Sequence, residues 1–414
     1  MNKFFSHRRI LSVLMAVFIL YTQYLQYVYF AIPSMVTILG AMVLGFGYIG
    51  IIYCREYWSP FKINEFTMMF IFFAITLATG IATSPNVTIH IRYWVTSFGY
   101  FLLVPCFMYL LESKEKLCVF CALYMAFSLL CAFTLWHNPV VYYEQAAEGV
   151  RYSLSQLLNV NMLGQFFMLG SWGCCFLMTF FPKFQKYGLA IIVFLFYANN
   201  LTGSRKNLIV ILLIVGLWFA ICWVPDNKEN FLKVLLTAIV IFAVVYYCYI
   251  YFYLNSDIAQ RMGQIFISSD GRENGRIDMY RTAMTIFKKN PIFGVGFHGY
   301  GIWIGKVGAY SHATYAELIA DTGVVGSILF LGMYIYSFIK IILLIRRIKG
   351  IRELKDSLLM LKLALILWCV IIFMSSGVIY FYELVCFMIW GIMFSIIQIT
   401  KKQIYMYMYM IEEL

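Results

Sequence analysis

The sequence predicts an all-α protein that crosses a membrane about twelve times, and three observations carry that prediction. Apolar residues make up 63% of the 414 positions and charged ones only 12%, a balance that no water-exposed globular domain needs. Apolar runs of roughly 20 residues recur along the chain, each long enough as a helix to cross about 30 Å of hydrocarbon. Lys and Arg are also sorted by loop. With the N-terminus inside, eighteen fall on the cytoplasmic side against four (Arg92, Arg151, Arg205 and Lys206) in the short outer loops, as retention of positive charge in the cytoplasm requires.

In chain order the runs are 10–30, 33–54, 66–83, 93–111, 117–136, 161–181, 187–201, 207–224, 231–254, 324–345, 358–378 and 382–399. The first stays as a helix, since Ile10 to Phe30 is longer than a signal core and no small-residue cleavage site follows it. The short seventh run leaves totals of eleven or thirteen open, whereas an even total puts both termini in the cytoplasm. The runs are continuous rather than alternating, so their backbone hydrogen bonds close inside helices and not between barrel strands. No Pro/Ser linker, low-complexity tract or internal repeat divides residues 1–414, which read as a single integral-membrane domain.

Composition also removes several classes. The net charge of +12 is spread over loops rather than gathered into a stripe, so topology explains it and nucleic acid is not expected as a partner. All eleven cysteines lie in or beside the runs, which argues against a disulfide framework. Cys118 and Cys121 form a lone CxxC and read as small buried packing residues rather than a metal site.

Two outer loops break the rhythm of short connections, 137–160 and the long 255–311 between helices nine and ten. Connections of that length usually serve function. Within the second, 276–290 has the spacing of an amphipathic helix with Ile277, Tyr280, Met284 and Phe287 on one face, ended by Pro291. Arg276, Arg281, Lys288 and Lys289 then face water, headgroups or a ligand, and the helix is expected to lie along the membrane surface. The "GVGFHG" at 294–299 satisfies a dinucleotide-binding pattern only in letters, because no strand precedes it. Its glycines are read as turn residues, and so is His298.

Cations at the outer face are the candidates for chemistry. Arg205 and Lys206 in "TGSRKN" stand where positive charge is disfavoured, which a phosphate ligand on that side explains. Two guanidinium forks, Arg205 and Arg276, suit a diphosphate at headgroup depth. His312, whose unperturbed pKa is about 6.5, suits proton removal from a hydroxyl without a metal. Each has an ordinary alternative: an Arg at a helix end snorkels to headgroups, Lys206 meets lipid phosphate, Arg281 faces water, and Arg92 and His90 anchor the interface beside Tyr93 and Trp94. Lys206, Arg281 and Arg92 are counted as candidate substrate-binding cations.

Three stretches, "TGSRKNLIVILL", "GRIDMYRTAMTIFKKNPIFGVG" and "SHATYAELIADTGVVG", resemble in content and order the O-antigen ligase and polymerase family, Wzy-type enzymes that join lipid-linked saccharides outside the bacterial cytoplasmic membrane. The specific part covers residues 199–330. One departure is Ala313, where the family often has an amide. The resemblance implies a GT-C-like fold in the cytoplasmic (inner) membrane and a polymerase acting on undecaprenyl-diphosphate-linked repeat units, with inversion and with no metal or cofactor. It implies that Arg205 and Arg276 hold the diphosphate and that His312 orients or deprotonates the acceptor. Partners would be the lipid-linked donor, a saccharide acceptor, membrane lipid and, optionally, a chain-length regulator. Two alternatives stay open, a ligase delivering glycan to lipid A core or another acceptor, and a flippase for the same lipids. A flippase would call for repeats and charges at mid-membrane; Lys340 and Lys362 lie instead toward cytoplasmic ends, and Glu383 starts a helix.

Overall fold

The computed structural model describes residues 67–145, 149–155, 158–223, 272–306, 309–377, 381 and 383–412, with the backbone alone at 143–145, 149, 205 and 272–276. In chain order the elements are α1 (Thr67–Thr83), α2 (Val87–Leu110), α3 (Lys114–His137), β1 (Val140–Gln145), β2 (Gly149–Ser153), α4 (Val160–Phe180), α5 (Gln185–Leu201) and α6 (Arg205–Trp218). There follow α7 (Arg272–Lys289), α8 (Gly299–Trp303), α9 (Thr314–Ile348), α10 (Lys355–Ser375) and α11 (Leu384–Glu412). A π-helical turn, Phe219–Trp223, prolongs α6.

Among the described residues, seven helices are long and apolar enough to cross a membrane: α2, α3, α4, α6 with its π turn, α9, α10 and α11. The shorter α1 is also apolar. The chain is thus a helical, polytopic membrane protein. The runs expected at 10–30, 33–54 and 231–254 lie outside the described residues. Within the outer loop 137–160, β1 and β2 pair antiparallel, with an irregularity between Val141 and Tyr143. The pairing follows from "VVYYEQ" and "GVRYS", whose β-branched and aromatic residues favour a pleated surface.

The described residues form two compact units, one of 67–116 with 272–412 and one of 117–223. In the first, α11 is buried along most of its length, and Gly391 lets α2 approach: a Cβ there would lie 2.7 Å from the Cβ of Phe107. Rings fill the space between the helices, Phe330 lying 5.3 Å from Phe72 and 5.4 Å from Trp390. Helix α9 contains a break. Gly323 has φ 62° and ψ −165°, a conformation open essentially to glycine alone. The run expected from 324 therefore begins where the second half of α9 does, and hydropathy missed the first half because it carries buried Glu317, Asp321 and Thr322.

In the second unit α4 is the centre, with nearly every side chain from Leu163 to Met178 buried. Small residues allow its neighbours in. The Ser128 hydroxyl donates to the Phe166 carbonyl at 3.0 Å, and a Cβ on Gly173 would meet the Cys121 carbonyl at 3.2 Å. Cys118 and Cys121 are buried free thiols.

Candidate functional site

The turn between α5 and α6 is built from polar side chains that touch one another rather than water. Gly203 takes a left-handed φ of 64°, as a tight helix-to-helix turn requires. The Ser204 hydroxyl donates to Oδ1 of Asn161 at 2.9 Å and accepts from Nδ2 of Asn207 at 2.8 Å. The same Asn207 amide donates to the Asn161 carbonyl at 2.9 Å, and Nδ2 of Asn199 to the Ser204 carbonyl at 3.4 Å. Asn199, Thr202, Ser204 and Asn207 are all buried. This clamp onto α4 requires Gly164, because a Cβ there would collide with the Asn207 amide and sit 2.6 Å from Oδ1 of Asn199.

The clamp decides what α6 presents. Ser204 precedes the helix in the capping position, yet its side chain makes no capping hydrogen bond. The first turn of α6 lies at the positive end of its dipole. Arg205 is the first residue of that helix and Lys206, half-buried, the second.

In the other unit, the first half of α9 is anchored by a different device. Residues 291–296 run beside 320–325: Val324 and Val325 donate to the carbonyls of Pro291 and Ile292, and Val295 and Gly296 donate to those of Ala320 and Asp321, at 2.8 to 3.2 Å. The backbones are so close that a Cβ on Gly294 would lie 2.5 Å from the Asp321 carbonyl oxygen. Gly294 is thus explained by backbone contact with the break in α9, and Gly296 by its left-handed φ of 83° and its closeness to Ser84 and His90. The Asp321 carboxylate, fully buried, accepts from the N–H of His298 at 2.8 Å and of Tyr300 at 2.9 Å, and so fixes the start of α8.

His298 itself has φ 60° and stacks on Tyr93 with 4.0 Å between ring centroids. Burial lowers its imidazole pKa, and burial with Glu317 nearby raises that of the Tyr300 hydroxyl. His90, expected as an interfacial anchor, is instead fully buried and accepts the Phe297 N–H on Nδ1 at 2.9 Å. Hydropathy could not have placed it, since its partner is 207 residues away in sequence.

His312 precedes α9, half-buried, with φ 59° and its ring 4.3 Å from that of Tyr310. Non-glycine residues seldom take that conformation. Glu317 accounts for it. Its carboxylate, fully buried, reaches back to accept the N–H of Ser311 at 2.6 Å, and the Ser311 hydroxyl closes on the Ala313 carbonyl at 3.1 Å. Neither Glu317 nor Asp321 was singled out from the sequence. The available signal was a pair of carboxylates four apart in an apolar helical run, where ionisable residues are costly unless used.

Arg276 lies in the second turn of α7, which begins four residues before the expected 276. Arg281 is exposed and pairs with Asp278 at 3.2 Å, an arrangement worth little in water. Arg92 is exposed on α2. Lys289 sits over the Trp303 ring at 5.0 Å. A different side of α7 from the expected apolar face packs on the protein: Ala283 and Ile286, with Met279, meet Val295, Tyr300 and Ala320. Arg276, Arg281, Arg92 and His312 belong to one compact unit, Arg205 and Lys206 to the other. Among the described residues, no three His, Cys, Asp or Glu side chains are grouped as a metal site.

Residues 190–331 match the family model described as O-antigen ligase. The matched stretch runs from α5 into the second half of α9, and so takes in both the Arg205 turn and the His312 segment. No curated protein matches the chain.

Proposed function

We propose that the protein is a membrane glycosyltransferase that polymerises saccharide repeat units carried on undecaprenyl diphosphate, at the outer face of a bacterial cytoplasmic membrane, with both termini in the cytoplasm and a GT-C-like fold. The observation that carries this reading is that one family match covers a helix start bearing Arg205 and Lys206, a loop helix bearing Arg276, and His312 in a left-handed backbone.

In this scheme Arg205 and Arg276 hold the diphosphate, with Lys206, Arg281 and Arg92 adding positive potential around it. His312 takes the proton of the acceptor hydroxyl as its oxygen attacks the anomeric carbon from the face opposite the diphosphate. The bond from that carbon to the bridging oxygen breaks, its electron pair leaves with undecaprenyl diphosphate, and the configuration inverts. The arginines stabilise charge growing on the leaving oxygen. No metal enters, because fixed cations do its electrostatic work.

The name of the matched family favours a second reading, a ligase that delivers a finished glycan to lipid A core or another acceptor. One experiment tests both. The purified protein is incubated in chelator with a synthetic lipid-linked repeat, with and without lipid A core. A ladder without core supports polymerase, transfer only to core supports ligase, and neither product in active membranes refutes both.

A further inference from the structure

Helix α7 shows three faces rather than two. Met279, Ala283 and Ile286 are packed on the protein. A second stripe at spacings of three and four is apolar yet unpartnered, with Ile277 43% exposed, Tyr280 38% and Met284 44%. A third carries Asp278, Thr285 and Lys289, all exposed. Arg281 and Lys288, also exposed, fall between the apolar and polar stripes when 3.6 residues make a turn. This order of apolar, basic and polar is what a helix needs to lie in a bilayer surface with cations at phosphate depth.

A second observation says what covers the apolar stripe. Val324, Ile328, Ile335, Ile339 and Leu343 form one exposed line along the second half of α9, which in a membrane-spanning helix is its lipid face. The backbone carbonyls of Pro291 and Ile292 are bonded to the N–H groups of Val324 and Val325, where that line begins. Ile292 and Phe293, 58% and 41% exposed, are therefore tied to the point where α9 enters the hydrocarbon.

We propose that the segment from Ile277 to Phe293 docks on the bilayer surface, with Met284 and its stripe at the acyl boundary, Phe293 as a shallow wedge, and Arg281 and Lys288 on anionic headgroup phosphates. Docking would set the depth of the whole segment, Arg276 included. The inference needs no catalytic role for any residue, so it stands or falls apart from the proposed reaction.

The test places single cysteines at Met284, Phe293 and Thr285 in the full chain, labels each with a fluorophore and reconstitutes the protein in phosphatidylcholine vesicles with or without phosphatidylglycerol. Shallow brominated lipids are expected to quench labels at 284 and 293 at least about threefold more than at 285, and aqueous iodide to show the reverse order. Lys288→Gln, with the label at 284, is expected to weaken the gain in quenching that phosphatidylglycerol brings. Equal quenching at 284 and 285 by either agent overturns the proposal, as does a label at 293 open to iodide. An unchanged lipid dependence in Lys288→Gln overturns the headgroup contact.

Discussion

At the α5–α6 turn, the backbone at the start of α6 is held by the neutral amides and hydroxyls of Asn199, Ser204 and Asn207, which fasten the turn to one helix, α4. At the head of α9, one buried carboxylate, Glu317, fixes Ser311 beside His312, a second, Asp321, fixes the start of α8, and glycines bring distant backbones together. The first device is short-range and uses groups that are cheap to bury once bonded; the second is long-range and uses groups that are expensive to bury unless every bond is made. A helix start needs only its flanking turn held, whereas a histidine in a left-handed backbone must be held against its own preference. The His312 region should therefore be the more fragile of the two.

The largest effects test whether the two regions serve one reaction. Arg205→Ala, Arg276→Ala and His312→Ala are each expected to abolish polymer formation while leaving protein levels in the membrane near normal, as a glycan ladder with an immunoblot would read. Full complementation by all three removes the proposed site. Asp321→Ala is expected next, leaving the N–H groups of His298 and Tyr300 without an acceptor. At roughly 1–3 kcal/mol for each buried donor, the loss is about 2–6 kcal/mol, seen as a lower melting temperature in detergent.

Glu317 sharpens the comparison further. Glu317→Ala removes the acceptor for the buried Ser311 N–H and is expected to cut the rate about tenfold or more, with a stability loss of about 1–3 kcal/mol, smaller than that of Asp321→Ala because one donor is orphaned rather than two. Glu317→Gln keeps an acceptor and should restore most of the rate; a Gln variant as slow as Ala would mean that charge matters and not backbone placement. Asn207→Ala, which deletes two donated bonds, is expected to lower stability by about 1–3 kcal/mol and the rate only a few-fold. Lys206→Ala should be mildest, within a few-fold in rate at normal expression.

Helix positions were legible wherever hydropathy is a local property. The runs at 66–83, 161–181, 187–201 and 358–378 correspond to α1, α4, α5 and α10 within a few residues. The reading fell short where a helix continues past its apolar stretch. Helix α2 starts at Val87, before the expected 93, through "VTIHIR", and α11 runs on through Lys401 and Lys402 to Glu412. Hydropathy stops at such charges, but helical hydrogen bonding does not. On α7 the periodicity was real yet ambiguous, since Ile277, Tyr280 and Met284 share a face and so do Met279, Ala283 and Ile286. Nothing local says which stripe meets protein.

The chain by itself determined that this is a helical membrane protein, where its runs lie, and that Arg205, Arg276 and His312 stand at the ends or in the loops of helices, because apolarity, helical period and charge placement are written in neighbouring residues. Only the tertiary structure decided that Asp321 holds the start of α8, that Glu317 folds Ser311 back beside His312, that His90 serves Phe297, and that Gly294 lies against Asp321. Burial of a polar group is tolerable only when its partner arrives from elsewhere in the chain, and no local pattern names that partner.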